Sequence, residues 1–518
     1  MKKILFSILF VASFISCTKD FEKINVDPVA IAKIGPAEIP LLFSRGQMWA
    51  VMNGDEYQVG QSLYADQYAQ YWSNATTYFR TDRFFVNTDW LDQTFVGFYS
   101  NGMPALHDVM KLTNEQSVEH TLASIMWVYM FHNVTDSWGP IPYFEAGNAG
   151  KTSAYDAQEK IYDDFFKRLK AANNVLSLNA SKKPFGKNDL IYGGDLIKWR
   201  KFNNTLWLRL AMRISNVNPA KSKIEAEAAV AAGVFVQSPD DDALIKRTFE
   251  DYTYHNHLST MTRWGEFTMT AAMESYLKGY NDPRMFEWFS PSKSTRNSPQ
   301  KEYHGTRNGL LASDFANAIN KIDNNSIPGF RWNAQFNTGA LSTPQNVMCT
   351  AEAYFLRAEG ALKGWNMLGN AKDLYEQGIA NSFKQWGVTA SPSVYFNGTS
   401  LPIAPQDFLN SPPVNNIPVQ FSTNSQEQFE QVQTQKWLAT FPDGFEGWSN
   451  LRRTGFPKLY PVPNSESNFI PAGTLSKNFR RYPFVNYEYN NNKEGVAKGV
   501  QLLGGPDNET TRVWWDKL

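Results

Sequence analysis

Glu352 and Glu359 stand seven residues apart in the stretch TAEAYFLRAEGALKGW, on one face of a helix. Two carboxyl groups on a common face are the minimum a glycosidase needs, one as acid and one as base or nucleophile. A rise of 1.5 Å per residue sets these two about 10 Å apart, slightly beyond an inverting pair, so pairing with basic partners is the expected role. Arg452 and Arg453 in SNLRRTG could bind an anion. Their forked guanidinium groups equally suit carboxylates and helix-end carbonyls, and that is the expected use. His255 and His257 form the only close pair among six histidines, but zinc needs three or four converging ligands and no others stand nearby. Asp240-Asp241-Asp242 offers oxygens for calcium without the Asp/Asn-x-Asp/Asn-x-Gly loop pattern, so a solvated turn is expected. The chain shows no Gly-x-Ser-x-Gly elbow, phosphate loop or Cys/His nucleophile arrangement, and nothing calls for a cofactor or a metal.

Aromatic residues in polar, irregular stretches are the better candidates for contact with a ligand, because loops on a rigid scaffold carry function. The composition is 14% aromatic, with 16 Trp and 23 Tyr; most must pack in the core, but Trp and Tyr also make flat, amphipathic contact surfaces for ligands. QYWSNATTYFRTDRF offers Trp72 and Tyr78 beside Asn74 and Arg80; STMTRWGEF offers Trp264 with Arg263; IPGFRWNAQFN offers Trp332 between Arg331 and Asn333. A ring with an amide or guanidinium at its edge suits a molecule with apolar faces and hydroxylated rims. Each of these rings could instead pack beneath its own loop.

The elements that must hold these residues are helical. Ala351, Phe355, Ala358 and Leu362 recur at helical spacing, and two of the four are alanines, which lets a neighbouring helix come close. After a short link from Gly364 to Asn370, Ala371, Leu374, Tyr375, Gly378, Ile379 and Phe383 form a second stripe. Two amphipathic helices with a short link predict an antiparallel hairpin, and the small-aromatic-small spacing resembles a tetratricopeptide unit. Upstream, Ile161, Phe165, Leu169, Ala172 and Leu176 line one helix, and Trp199, Phe202, Leu206 and Leu210 line the next. TLASIMWVYMFHNV and QEQFEQVQTQKWLATF read as further helices, while alternating β-type runs are scarce. The expected fold is all-α: tetratricopeptide-like helical hairpins with long, loop-rich, ligand-facing insertions.

The amino terminus predicts an export signal. Lys2 and Lys3 precede a mostly apolar run from Ile4 to Ile15, too short for a bilayer span. Small Ser16 then precedes Cys17, and Phe14-Ile15-Ser16-Cys17 resembles a bacterial lipobox, with Phe where Leu is usual. Residues 1–16 read as signal peptide, 17–40 as a lipidated end and tether, and 41–518 as one domain. Three acyl chains on Cys17 would anchor firmly, since each buried methylene contributes about 0.8 kcal/mol. Fifty basic residues balance fifty acidic ones, so no charge excess points to nucleic acid.

Six strings in order carry a wider resemblance: FEKINVDP, DSWGPIPYFEA, WRKFNNTLWLRLAMRIS, AEAYFLRAEGALKGW, TQKWLATFPDGFEGWSNLRRTGFP and RRYPFVNYEYNNN. Behind a lipobox, the set is similar to the SusD/RagB family of outer-membrane lipoproteins. The resemblance implies an all-α fold, display on the outside of the outer membrane, and partnership with a SusC-type TonB-dependent β-barrel transporter. It also implies an oligosaccharide or peptide ligand passed on without chemistry, so that the chain is not an enzyme. Cys17 would be the lipid attachment site. The family's binding residues are not marked by these strings, so Trp72, Tyr78, Trp264 and Trp332 remain candidates on their own chemistry. Two other readings stand beside this one: a surface lipoprotein glycoside hydrolase, and a ligand-free lid or scaffold of the transporter.

Overall fold

The computed structural model describes residues 35–147 and 153–518. Cys17 and the signal sequence lie outside the described residues. The first described helix, Ile39–Ala50, begins within the stretch read as tether, with Pro40 in its first turn where a missing N–H costs nothing. No helix among the described residues is long and apolar enough to cross a membrane.

The scaffold is a set of antiparallel helix pairs. Helix α1 (Val118–Trp138) packs on α2 (Gln158–Leu178), and α3 (Leu196–Arg213) packs on α4 (Pro219–Ala232). A long insertion follows, carrying the short helix α5 (His257–Trp264). The pairs then resume with α6 (Thr350–Leu362) on α7 (Ala371–Trp386), and α8 (Ser425–Thr440) on α9 (Gly444–Thr454). Helix α3 touches both α2 and α6, and α6 touches α8, so the pairs form one stack across the insertion.

Local chemistry explains the helix ends. The Asp195 carboxylate accepts hydrogen bonds from the Ile197 and Lys198 amides and starts α3; Asn370 does the same for α7 through the Asp373 amide. Gly387, at φ 72°, ends α7 in the left-handed conformation. The expected stripes are the buried faces: Ile161, Phe165, Leu169, Ala172 and Leu176 on α2, and Trp199, Phe202, Leu206 and Leu210 on α3. Gly378 lies on the Phe355 ring, and a Cβ there would come within 2.7 Å of it, so the α6–α7 pair needs glycine at that point.

Charge runs through the middle of this stack. Arg209 donates two hydrogen bonds to Glu352, at 2.7 and 2.6 Å, and Arg453 donates two to Glu359, both at 2.6 Å. Arg213 bridges Asp136 and Glu446, and Lys436 meets Glu446 at 2.6 Å. Arg452 donates to the carbonyls of Asp136 and Arg480. The seven-residue pair Glu352 and Glu359 is thus fully engaged in holding helices together, and Arg452 and Arg453 bond carbonyls and a carboxylate as expected.

Strands are short and come in two-stranded antiparallel ladders. β1 (Trp72–Asn74), β2 (Ala243–Ile245), β3 (Phe267–Met269) and β4 (Gln345–Met348) matter most: β1 pairs with β3, and β2 with β4. The β2–β4 ladder joins the two ends of the insertion, and β1–β3 ties its middle to the region before the helix pairs.

The triple aspartate departs from the solvated turn expected of it. Asp240 is exposed, but Asp241 and Asp242 are buried. Asp241 accepts from the Val236 and Gln237 amides and from Lys201, while Asp242 accepts from the Ser238 hydroxyl and the Thr350 amide at the start of α6. The insertion folds back over the helices at this point, which puts the turn between two layers.

Candidate functional site

The four candidate rings divide into two kinds. Trp72 has 0% of its surface exposed and sits in an aromatic cluster with Phe267, Phe289, Trp332 and Phe441, at centroid distances from 5.0 to 6.4 Å. A ring so enclosed has no face to offer a ligand, which corrects its place among the candidates. It is on β1, and the insertion strand β3 covers it. Trp332 belongs to the same cluster and is 3% exposed, on the wall of a partly open cavity.

Tyr78 and Trp264 are open, at 75% and 48% exposure. The β1–β3 ladder brings their chain segments together. Asn74 opposes Phe267, and the Ala75 amide donates to the Glu266 carbonyl at 2.8 Å, so the segment leading to Tyr78 and the one arriving from Trp264 leave the same end of the ladder. Trp264 is the last residue of α5. Gly265, at φ 73°, turns the chain sharply from helix to strand and leaves the indole outside.

Polar groups surround this end. Gln58 donates to the Glu266 carboxylate at 2.7 Å, Gln335 donates to the Arg263 carbonyl at 3.0 Å, and the Tyr252 hydroxyl donates to Asp55 at 2.6 Å. Tyr252 and Tyr254 are themselves exposed. Burial pushes the Glu266 carboxyl up to about 7, against the opposing pull of its bond from Gln58. With its carboxyl raised to that range, Glu266 can donate as well as accept a hydrogen bond near neutral pH. Arg80, expected beside Tyr78 as a ligand group, is instead paired with Glu466 and lies over the Phe85 ring at 3.9 Å. The surface can therefore stack flat apolar rings and hydrogen-bond their edges. It assembles no pair of free carboxylates from Glu352 and Glu359.

The histidine pair is also accounted for. His257 is buried and its Nε2 accepts from the Gly54 amide at 2.8 Å; His255 meets the Phe249 carbonyl at 3.2 Å. Both rings pack against Tyr252.

Sequence reasoning did not single out Gln58, Tyr252, Glu266 or Gln335. They lie up to 277 positions apart, and only the fold collects them. The one local signal was the Trp264-Gly265 step, a helix stop directly after a large ring.

A family model described as SusD-like, Susd and RagB outer membrane lipoprotein, matches residues 39–516. No curated protein sequence matches the chain. Among solved structures, a chitin-binding SusD homologue from Flavobacterium johnsoniae is 36% identical with a TM-score of 0.82, over 92% of this chain and 98% of its own. A SusD homologue from Bacteroides thetaiotaomicron is 30% identical with a TM-score of 0.81, over 93% of this chain and 99% of its own. One from Bacteroides ovatus is also 30% identical, with a TM-score of 0.83, over 93% of this chain and 100% of its own. With a family match across nearly the whole length and the helical stack to go with it, the chain belongs to the SusD/RagB family of outer-membrane lipoproteins.

Proposed function

We propose that this protein is a surface lipoprotein, anchored through Cys17, that captures oligosaccharides and hands them to a TonB-dependent β-barrel partner without altering them. The observation that carries the reading is the pair of open rings, Tyr78 and Trp264, at one end of the β1–β3 ladder beside Gln58 and Glu266. Pyranose rings have apolar faces and hydroxylated edges, and this surface supplies aromatic planes and polar edges to match. The 36% identical relative is described as chitin-binding, so oligomers of β-linked N-acetylglucosamine are the first ligands to try.

Calorimetric titration of the mature protein with the N-acetylglucosamine hexamer, against maltohexaose and cellohexaose, tests the ligand. We expect saturable binding of one class, weakened at least tenfold by Trp264→Ala and by Tyr78→Ala. Binding untouched by both substitutions would move the site elsewhere, and shortened oligomers in the sample would make the protein a hydrolase. Mild-detergent purification from the native outer membrane tests the partner: a stoichiometric large barrel is expected, and its absence at every detergent strength would sink the delivery role.

A further inference from the structure

The loop from Asn179 to Leu190, between α2 and α3, shows charge of one sign to solvent. Lys182, Lys183 and Lys187 are exposed on it and meet no carboxylate among the described residues. The acids close by are engaged elsewhere. Asp189 is buried and accepts from the Gln47 side chain, the Gly194 amide and the Trp199 indole. Asp195 caps α3, and Glu38 accepts from the Gly35 amide at 2.8 Å.

Apolar side chains share this face. Leu178, the last residue of α2, is 84% exposed, more than any other large apolar residue among those described. Ile197, in the first turn of α3, is exposed as well. Arg200 donates to Asn173 and Asn203 to the Leu169 carbonyl, so α2 and α3 run antiparallel and these two ends adjoin. The loop lies against them: a Cβ at Gly194 would come within 2.7 Å of the Pro184 carbonyl oxygen. Its other side rests on the first helix, Ile39–Ala50, where Phe185 stacks on Phe43 at 4.2 Å and the Ser44 hydroxyl donates to the Asn188 carbonyl at 2.6 Å. Leu41 is exposed one turn back from Ser44, on the same side of that helix.

The occupant follows from the chemistry and from where the chain leaves. The described residues start at Gly35, at the foot of the first helix, and Cys17 lies eighteen residues upstream. Even fully extended, that length reaches only about 60–65 Å, and an anchor at Cys17 draws in this side of the molecule first. Lysines flanked by apolar side chains suit a surface that sets phosphates over acyl chains. A free phosphate would leave the apolar groups without a partner. A second copy docked here by two-fold symmetry would set lysines against lysines. We propose that this face rests on an anionic, phosphate-bearing lipid surface beside the anchor. It builds on the attachment through Cys17 proposed above.

The mature chain carrying Cys17→Ser has no acyl group, so its sedimentation with vesicles separates the face from the anchor. At low salt it should sediment with vesicles of phosphatidylglycerol and phosphatidylcholine in equal parts, and at least tenfold more weakly with phosphatidylcholine alone. Lys182→Gln/Lys183→Gln/Lys187→Gln should weaken binding to the anionic vesicles at least tenfold. Lys301→Gln/Lys321→Gln/Lys384→Gln, the same change of charge at exposed positions on other elements, should alter it less than twofold. Leu178→Gln/Ile197→Gln should weaken it at constant charge. No sedimentation with the anionic vesicles, equal sedimentation with both kinds, or equal losses in the two lysine triples would overturn the proposal. So would a Lys182/Lys183/Lys187 triple that keeps its vesicle binding and loses the co-purifying barrel, because the face would then belong to the protein partner. Cell fractionation tests the anchor on its own: a wild-type chain that leaves the membrane as readily as Cys17→Ser counts against attachment, whereas the vesicles alone decide the face.

Discussion

Glu359→Gln removes one charge from the centre of the helical stack and changes almost no volume. In the native protein, burial pushes the Glu359 carboxyl up, but the Arg453 charge and hydrogen bonds outweigh it and hold the group at about 2, against 4.5 for a free glutamate. At 1.36 kcal/mol per pKa unit, that difference corresponds to about 3 kcal/mol of native-state stabilisation at neutral pH. The variant also leaves Arg453, 2% exposed, buried without its counter-charge. Removal of one partner from a buried pair costs about 3–5 kcal/mol, so the two routes agree. A chain of 518 residues at about 2.1 cal/mol/K per residue has an unfolding entropy near 1 kcal/mol/K, so Tm should fall by about 3–5 °C. The sign with pH follows from the depressed pKa. The stabilisation is present above about 4.5 and is lost as pH falls toward 2, so wild type and variant should converge in that window. Urea unfolding followed by far-UV circular dichroism, with calorimetry for Tm, measures both effects. The paired change Glu359→Leu/Arg453→Met should recover most of the loss, because no charge is left stranded. A single variant within 1 kcal/mol of wild type, or a double variant as unstable as the single, would refute the reasoning.

Two more outcomes follow from the division between enclosed and open groups. Trp72→Ala should destabilise by about 3–5 kcal/mol and reduce the near-UV dichroism of the aromatic cluster, whereas Trp264→Ala should change stability by less than about 0.5 kcal/mol; urea midpoints for the two, side by side, decide it. Glu266 has a raised pKa, so its burial favours the native state most below pH 4.5 and that advantage is lost as pH rises through about 7. The Tm of Glu266→Gln relative to wild type should therefore climb between pH 5 and pH 8, and a flat difference over that range would refute the assignment.

The helices were legible in the sequence because each one reports on itself: the stripe from Ile161 to Leu176 needs no knowledge of its partner to be read as a buried face. The roles of Glu352, Glu359, Arg452 and Arg453 were legible by exclusion, since their spacing was wrong for catalysis and their types right for pairing. Trp72 and Trp264 could not be told apart in advance. Both are tryptophans in polar stretches, and what separates them is a ladder between strands nearly two hundred positions apart. Asp241 and Asp242 were misread for the same reason, because the Thr350 amide that buries Asp242 is more than a hundred positions away.

The β2–β4 ladder bears on how such a protein can change its ligand. Ala243 opposes Met348 and Ile245 opposes Gln345, so the segment between α4 and α6 leaves and re-enters the helical stack at a single neck. Lengthening a closed loop adds only about 0.6 kcal/mol per doubling, and the helices on either side contact each other directly through α3 and α6. The segment is therefore a cassette. Changes to its outer loops can alter the recognition surface while Phe267 and Trp332 stay seated against Trp72 and the charged spine below is untouched.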